Sequence, residues 1–334
     1  MTSYEIAHRA MTFQRPERIP FRFGTMGFSD FAGIGFTHPE GWKAPETPEG
    51  QKIDLWGCRW DTIYTNMGQV KGHPLESWEN LKDYSWPDPN APGMFDHILE
   101  NLRNLDGRYV QAGLGNGLFE RAHFLRGFSN WMEDLYMNPK EAHDLIERIL
   151  WFQIGLIRNY GKFDGIHSVS MCDDWGTQAN VFISIPLFRE FYKSRYKRLF
   201  NEAHSFGFTF YLHTCGKVND YIEEWIDCGL DAIELQQPRA LGIEEISRRY
   251  RSRICFSAPC DIQATLPNGD KEAIRREAKL LIDTWGTPDG GFIASDYGDC
   301  VAIGVSAESN KAQFEAFREF GNLKKAEWPM EDYT

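Results

Sequence analysis

From about residue 105 onward the chain repeats one rhythm: a short run rich in β-forming residues, then a long segment whose apolar residues return at helical spacing. This alternation is the signature of parallel strands joined by crossover helices. Strands are predicted at Tyr109–Ala112, Gly165–Cys172, Thr209–His213, Asp231–Leu235, Arg253–Ser257 and Gly291–Ser295. Between them, Ala142, Leu145, Ile146, Ile149 and Leu150 trace one helix face, and Leu187, Phe188, Phe191, Tyr192 and Tyr196 trace another. Pro139 behind Asn138, and Pro186 behind Ser184, stand where a first-turn proline follows a cap.

The first hundred residues break this rhythm. They are rich in Gly, Pro and Trp between Gly24 and Pro89 and read as excursions. A strand at Ile19–Phe23 opens the barrel, and Ile53–Ile63 alternates well enough to form one strand of a hairpin over a rim. The strand count then reaches about eight, the number that closes a (β/α)8 barrel of typically ~250 residues. The expected class is therefore α/β: one TIM barrel domain over 1–334, with excursions and rim hairpin in 1–105 and regular β/α units in 106–322. A short polar tail, Lys324–Thr334, follows.

A net charge of −12 argues against a nucleic-acid partner, which would require phosphate neutralisation. An apolar share of 42% supports a buried core, yet no run approaches the roughly 18 apolar residues of a membrane span. The charged N-terminus lacks a signal-peptide core, so the cytoplasm is the expected compartment. Seven cysteines, an odd number, suit reduced thiols in a chain that needs no disulfide staples, and reduced thiols can serve as ligands.

In a parallel barrel the chemistry gathers at the carboxyl ends of the strands. Successive ends here run into Asp173-Asp174-Trp175-Gly176, Thr214-Cys215-Gly216-Lys217, Gln236-Gln237-Pro238, Ala258-Pro259-Cys260-Asp261 and Asp296-Tyr297-Gly298-Asp299-Cys300. The sharpest element is His213-Thr214-Cys215, because residues two apart in an extended chain point to one side and can share an ion. Imidazole and thiolate are both good zinc donors. Cys300, at another strand end, can supply a third ligand, and one His with two Cys leaves the open fourth position of a catalytic zinc site. Cys260 is the rival third ligand, since it too follows a strand.

The runs Cys172-Asp173-Asp174-Trp175-Gly176-Thr177-Gln178, Ser184-Ile185-Pro186-Leu187-Phe188 and Leu212-His213-Thr214-Cys215-Gly216-Lys217 resemble the uroporphyrinogen decarboxylase superfamily. So do Gln236-Gln237-Pro238 and Glu308-Ser309-Asn310. Within it, His-x-Cys with a distant Cys some ten residues before Glu-x-Asn is similar to the zinc-dependent cobamide methyltransferase branch, and His213, Cys215 and Cys300 occupy those positions. The resemblance implies a barrel that moves methyl groups between a corrinoid (cobalamin), usually on a partner protein, and a small methylated compound. The decarboxylase branch fits less closely, because its arginine-rich N-terminal run is represented in Pro20–Phe28 by Arg22 alone.

Aromatic residues of the N-terminal excursion (Phe23, Phe28, Phe31, Phe36, Trp42, Trp56, Trp60) can wall a pocket for a methoxylated aromatic, which favours O-demethylation, or can be ordinary core. Asp173 and Asp174 are candidates for a metal ligand, a hydrogen bond to His213 or a general acid, or alternatively for a helix cap. Glu120, Gln236 and Tyr297 are candidate substrate contacts. The Gly113-Leu114-Gly115-Asn116-Gly117 run reads as a tight turn. Two alternatives to the zinc methyltransferase are a metal-independent lyase and a barrel that binds a corrinoid or methylated compound without turnover.

Overall fold

The computed structural model describes residues 1–62, 68–105 and 107–323. Ile63, the last residue of the expected rim strand, and the tail Lys324–Thr334 lie outside the described residues. The strands, in chain order, are β1 (Phe21–Phe23), β2 (Phe28–Ser29), β3 (Phe31–Gly35), β4 (Gln51–Ile53), β5 (Arg59–Asp61), β6 (Gln69–Gly72), β7 (Tyr109–Asn116), β8 (Ser168–Cys172), β9 (Thr209–Thr214), β10 (Ala232–Leu235), β11 (Cys255–Ala258) and β12 (Phe292–Ser295). One sheet of nine strands runs β2-β1-β12-β11-β10-β9-β8-β7-β3, with every pairing parallel except β1 with β2. Helices follow β7 to β12, so the fold is an α/β TIM barrel.

The two edges of that sheet meet at one residue. Asp30, between β2 and β3, donates its N–H to the Phe21 carbonyl of β1 and accepts from the Tyr109 N–H next to β3, each at 2.8 Å. Its carboxylate is fully buried and receives both guanidinium nitrogens of Arg18 (2.7 and 2.8 Å), the Phe21 N–H (2.8 Å) and the Ser3 hydroxyl (2.6 Å). Ring closure thus runs through a buried ion pair with its acceptors satisfied, the condition under which such a pair is tolerated. The helix Ser3–Met11, opened by a Thr2/Glu5 capping box, plugs the barrel floor. There Ala7 and Met11 pack on Phe31, Tyr109, Tyr211, Ala232, Cys255 and Ile293, which point inward. The opposite strand faces, with Val110, Val169, Phe210, Ile233 and Phe256, join the surrounding helices in the main core.

Several expectations need correction. Ile53–Ile63 is not one strand: Asp54 accepts the Trp56 and Cys58 amides and, with Gly57 at φ +77°, turns the chain between β4 and β5. These strands and β6 form a separate antiparallel sheet. The Gly113–Gly117 run is not a turn, because β7 extends through Asn116 with a register shift after Gly113. Phe31–Gly35 is a barrel strand that the sequence pattern missed. The aromatic excursion is largely core: Phe23 and Phe28 lie tilted against Phe314, and Trp56 packs on Phe152. Pro139 opens the long helix Pro139–Tyr160, as its position predicts. Among the described residues no helix is long and apolar enough to cross a membrane.

Asp30→Ala removes the buried carboxylate that both Arg18 guanidinium nitrogens and the Phe21 N–H reach, and breaking a buried ion pair of this kind typically costs about 3–5 kcal/mol. The denaturant midpoint should fall accordingly relative to wild type; a shift worth less than about 1 kcal/mol would show that closure does not depend on this pair.

Candidate metal centre

The strand ends of β8, β9 and β10 stand in register, with Cys172 beside His213 and His213 beside Glu234. In-register residues of parallel strands face the same side, so thiol, imidazole and carboxylate line one wall of the mouth. His213 Nδ1 lies 2.8 Å from Glu234 Oε2 and Nε2 lies 3.4 Å from Cys215 Sγ and 3.6 Å from Asp174 Oδ1. Among the described residues, ligand atoms of Cys172, Asp174 and His213 all lie within 4.8 Å of one another.

Backbone contacts hold this arrangement. Asp174 Oδ1 accepts the Cys215 N–H at 2.7 Å, the Asp173 N–H reaches the His213 carbonyl at 2.9 Å, and the Lys217 N–H reaches the Thr177 carbonyl at 2.8 Å. The loops after β8 and β9 cross at Gly176 and Gly216, where a Cβ on Gly216 would sit 2.3 Å from the Gly176 carbonyl carbon. Gly216 also has φ +85°, so glycine is needed there for both reasons.

The two aspartates have separated roles. Asp173 is fully buried and accepts the amides of Phe119 (3.2 Å) and Glu120 (2.8 Å), capping the helix Leu118–Arg126, and it also accepts from the Tyr196 hydroxyl. Burial pushes its carboxyl up to about 6 against these hydrogen bonds. Asp174 is partly open and turned to His213 and Cys215. Glu120 is buried beside Asn116, and burial, then the charges of Asp174 and Asp173, lift it to about 8. Burial works against Glu234 ionising, yet the His213 hydrogen bond and the Arg22 charge hold it down at about 2. Burial would lower His213, but its hydrogen bonds to Cys215 and Glu234 outweigh that and raise it.

Of the other expected residues, Tyr297 is half-buried, and its phenol is raised by burial and by the nearby Cys215. Gln236 is buried with Oε1 lacking a hydrogen-bond partner. Cys300 is half-buried on the turn after β12 and is not in the Cys172/Asp174/His213 group. Cys260 is wholly buried, its thiol directed to the Ile274 carbonyl at 3.5 Å. Sequence reasoning passed over Cys172 and Glu234 as members of the site. Both are strand-end residues, and the signal for them is cross-strand register, which a single chain pattern does not carry.

The donors fit a divalent ion such as zinc. Imidazole, thiolate and carboxylate are its usual ligands. An ionised Glu234 holds the proton on Nδ1, so that a metal displacing the Nε2 proton would find that nitrogen already facing the thiol, the arrangement that orients a metal-binding histidine. The Asp174 and Asp173 charges that help lift Glu120 would equally favour a cation at this wall.

A family model described as uroporphyrinogen decarboxylase (URO-D) matches residues 54–320. Among solved structures, a methyltransferase from Methanosarcina mazei is 19% identical and superposes with a TM-score of 0.63, covering 79% of this chain and 76% of that one. At that identity the likeness shows the barrel fold. Xylanase 10B from Thermotoga maritima (10% identical, 97% and 100% covered, TM-score 0.46) overlaps too loosely to carry an argument. Comparison with curated proteins returned no match.

The Glu234–His213 pair predicts a stability profile for the metal-free protein. Glu234, lowered from 4.5 to about 2, contributes stability above pH 4.5 that is lost as pH falls toward 2. His213, raised above 6.5, contributes stability below pH 6.5 that is lost as pH climbs through its raised value. Melting temperature against pH should therefore show a plateau between these limits, and Glu234→Gln should flatten both flanks. Unchanged flanks in that variant would show that the pair is not the source.

Proposed function

The chain belongs to the uroporphyrinogen decarboxylase family, and from that premise we propose that it is a zinc-dependent methyltransferase. In this reading it moves a methyl group between a small methylated compound, an aryl methyl ether, and a corrinoid carried by a partner protein. The observation that supports it most is the meeting of His213 Nε2 with Cys215 Sγ at 3.4 Å, beside the gathered donors of Cys172 and Asp174. A methyltransferase among the structures sharing this fold agrees with it. The metal-independent lyase would need clustered guanidinium groups for a multiply anionic porphyrinogen, and Pro20–Phe28 supplies only Arg22.

His213, Cys215 and Cys300 are the proposed ligands, with Asp174 and Cys172 beside them. The charges of Cys215 and His213 reach Tyr297, three residues before Cys300 in sequence, which supports Cys300 as the third ligand. Zinc bound there supplies Lewis acidity toward the ether oxygen. The residues of the chain do the rest. Glu234 fixes the His213 ring, and the Cys215 amide fixes the Asp174 carboxylate. The methyl would pass to the electron pair of the partner's reduced corrinoid as the C–O bond breaks with its own pair remaining on oxygen. The proton that this oxygen takes is available at Glu120, whose surroundings keep it protonated near neutral pH. Tyr297, its phenol raised and therefore neutral, can donate a hydrogen bond to the same oxygen.

Purified protein should carry about one zinc per chain and demethylate an aryl methyl ether only when reduced corrinoid is supplied, read from the cobalt spectrum. His213→Ala, Cys215→Ser and Cys300→Ser should each lose zinc and activity by at least tenfold with the fold retained, whereas Cys172→Ser should keep zinc. The reverse result for the last two variants would transfer the third ligand position to Cys172. Wild-type protein free of zinc after purification without chelator would overturn the reading.

A further inference from the structure

We propose that a cleft on the outer flank of the barrel, walled by Trp56, Trp86 and Trp151, binds a flat aromatic ring system that carries an anionic group. None of its wall residues belongs to the metal centre, so the cleft stands apart from the proposed function.

The cleft is a cavity of about 370 Å³ lined by Trp56, Trp86, Pro87, Glu147, Arg148 and Trp151. That volume falls within the range of small-molecule sites, roughly 300–1,000 Å³. Its walls are already fixed. Glu147, Arg148 and Trp151 are three and four residues apart on the long helix Pro139–Tyr160 and so share one face. Gly155, on the same helix, lets the segment that carries Trp86 and Pro87 press close, because a Cβ there would collide with the Pro89 ring. Asn159 Nδ2 donates to the Pro89 carbonyl at 2.9 Å and ties the segment down. The Tyr84 hydroxyl donates to the Trp56 carbonyl at 2.7 Å, and its ring meets Trp86 edge-on at 4.8 Å.

Stacking and hydrogen-bond balance together say what fits. Trp151 is 53% exposed, whereas tryptophan is usually well covered. Among the described residues no aromatic ring or cation lies on its faces. The indole N–H groups of Trp56, Trp86 and Trp151 have no acceptor among the described residues, although Trp56 is only 6% exposed. Indole nitrogen can only donate. Arg148 adds a cation. Its guanidinium lies over the Trp86 ring at 4.9 Å and pairs with no described carboxylate, not even that of Asp144 one turn earlier. Glu147, the one carboxylate of the wall, is taken by Arg195 at 3.0 Å and Arg198 at 2.8 Å. Every uncommitted polar group of the cleft is therefore a donor, and the complement is an anionic acceptor. The open indole face calls for a ring beside that acceptor, and a planar guanidinium already stacked on its own indole stands ready to pair with the charge.

Calorimetry on the purified protein with 2-naphthoate, the neutral 2-naphthamide and cyclohexanecarboxylate tests this. Naphthoate should bind about three- to tenfold more tightly than the amide, the worth of a partly exposed guanidinium contact, and should exceed the non-aromatic acid by at least as much. Trp151→Ala should weaken naphthoate about tenfold, and Arg148→Gln should erase its advantage over the amide. Both side chains are exposed, so zinc content and melting temperature should not change. His213→Ala, at the mouth, should leave naphthoate binding intact. Undiminished binding in the two cleft variants, or its loss in His213→Ala, would place the ligand at the mouth and overturn the proposal. Equal binding of naphthoate and its amide would overturn it too. So would self-association, read by sedimentation, that Trp151→Ala abolishes, since a second copy would then cover the indoles.

Discussion

The parallel register of the barrel strands is the constraint on which everything at the mouth depends. Cys172, His213, Glu234 and Ser257 occupy consecutive strands at matched heights, and in-register residues of parallel strands face one way. A slip of one residue in β9 would turn His213 outward into the helical layer and point Leu212 or Thr214 into the mouth. The register in turn requires a closed ring, and Asp30 joins its ends with backbone bonds on both sides and a carboxylate locked by Arg18. The N-terminal helix covers the floor, and the reactive groups stand at the opposite, carboxyl ends of the strands.

Within that frame, burial divides the acidic groups by function. Asp173 is spent on a helix terminus and a tyrosine, while Asp174, next to it in sequence, faces the donors. Glu234 stays ionised because His213 and Arg22 flank it, while Glu120, crowded by Asp173 and Asp174 without a cation of its own, holds its proton. The same side-chain chemistry thus yields a fixed anion and a proton donor, through neighbours alone. Arg22, its guanidinium over the Tyr211 ring at 4.9 Å, supplies the second cation that keeps Glu234 ionised.

Much of the barrel was readable from the chain because its units are local. Hydrophobic period identifies a helix such as Pro139–Tyr160 without knowledge of its neighbours, and the positions of β8 to β12 follow from short β-rich runs between such helices. The misses have local causes as well. Phe31–Gly35 has glycine at alternate positions where a strand normally shows side chains. The β7 extension through Gly113 and Gly115 was disguised as a turn for the same reason. In the rim segment, Asp54 and Gly57 turn a chain whose alternation suggested continuity.

The chain by itself determined the β/α rhythm, the family, and the placing of His213 and Cys215 on one side of an extended segment, because each of these depends on residues near in sequence or on a motif read in order. Tertiary structure decided which groups stand opposite that pair: Cys172 and Glu234 from adjoining strands, Asp174 from a loop crossing at two glycines, with Cys260 turned into the core. These choices are set by strand register and ring closure, which bring together residues tens of positions apart, and no local pattern of side chains encodes which of them will meet.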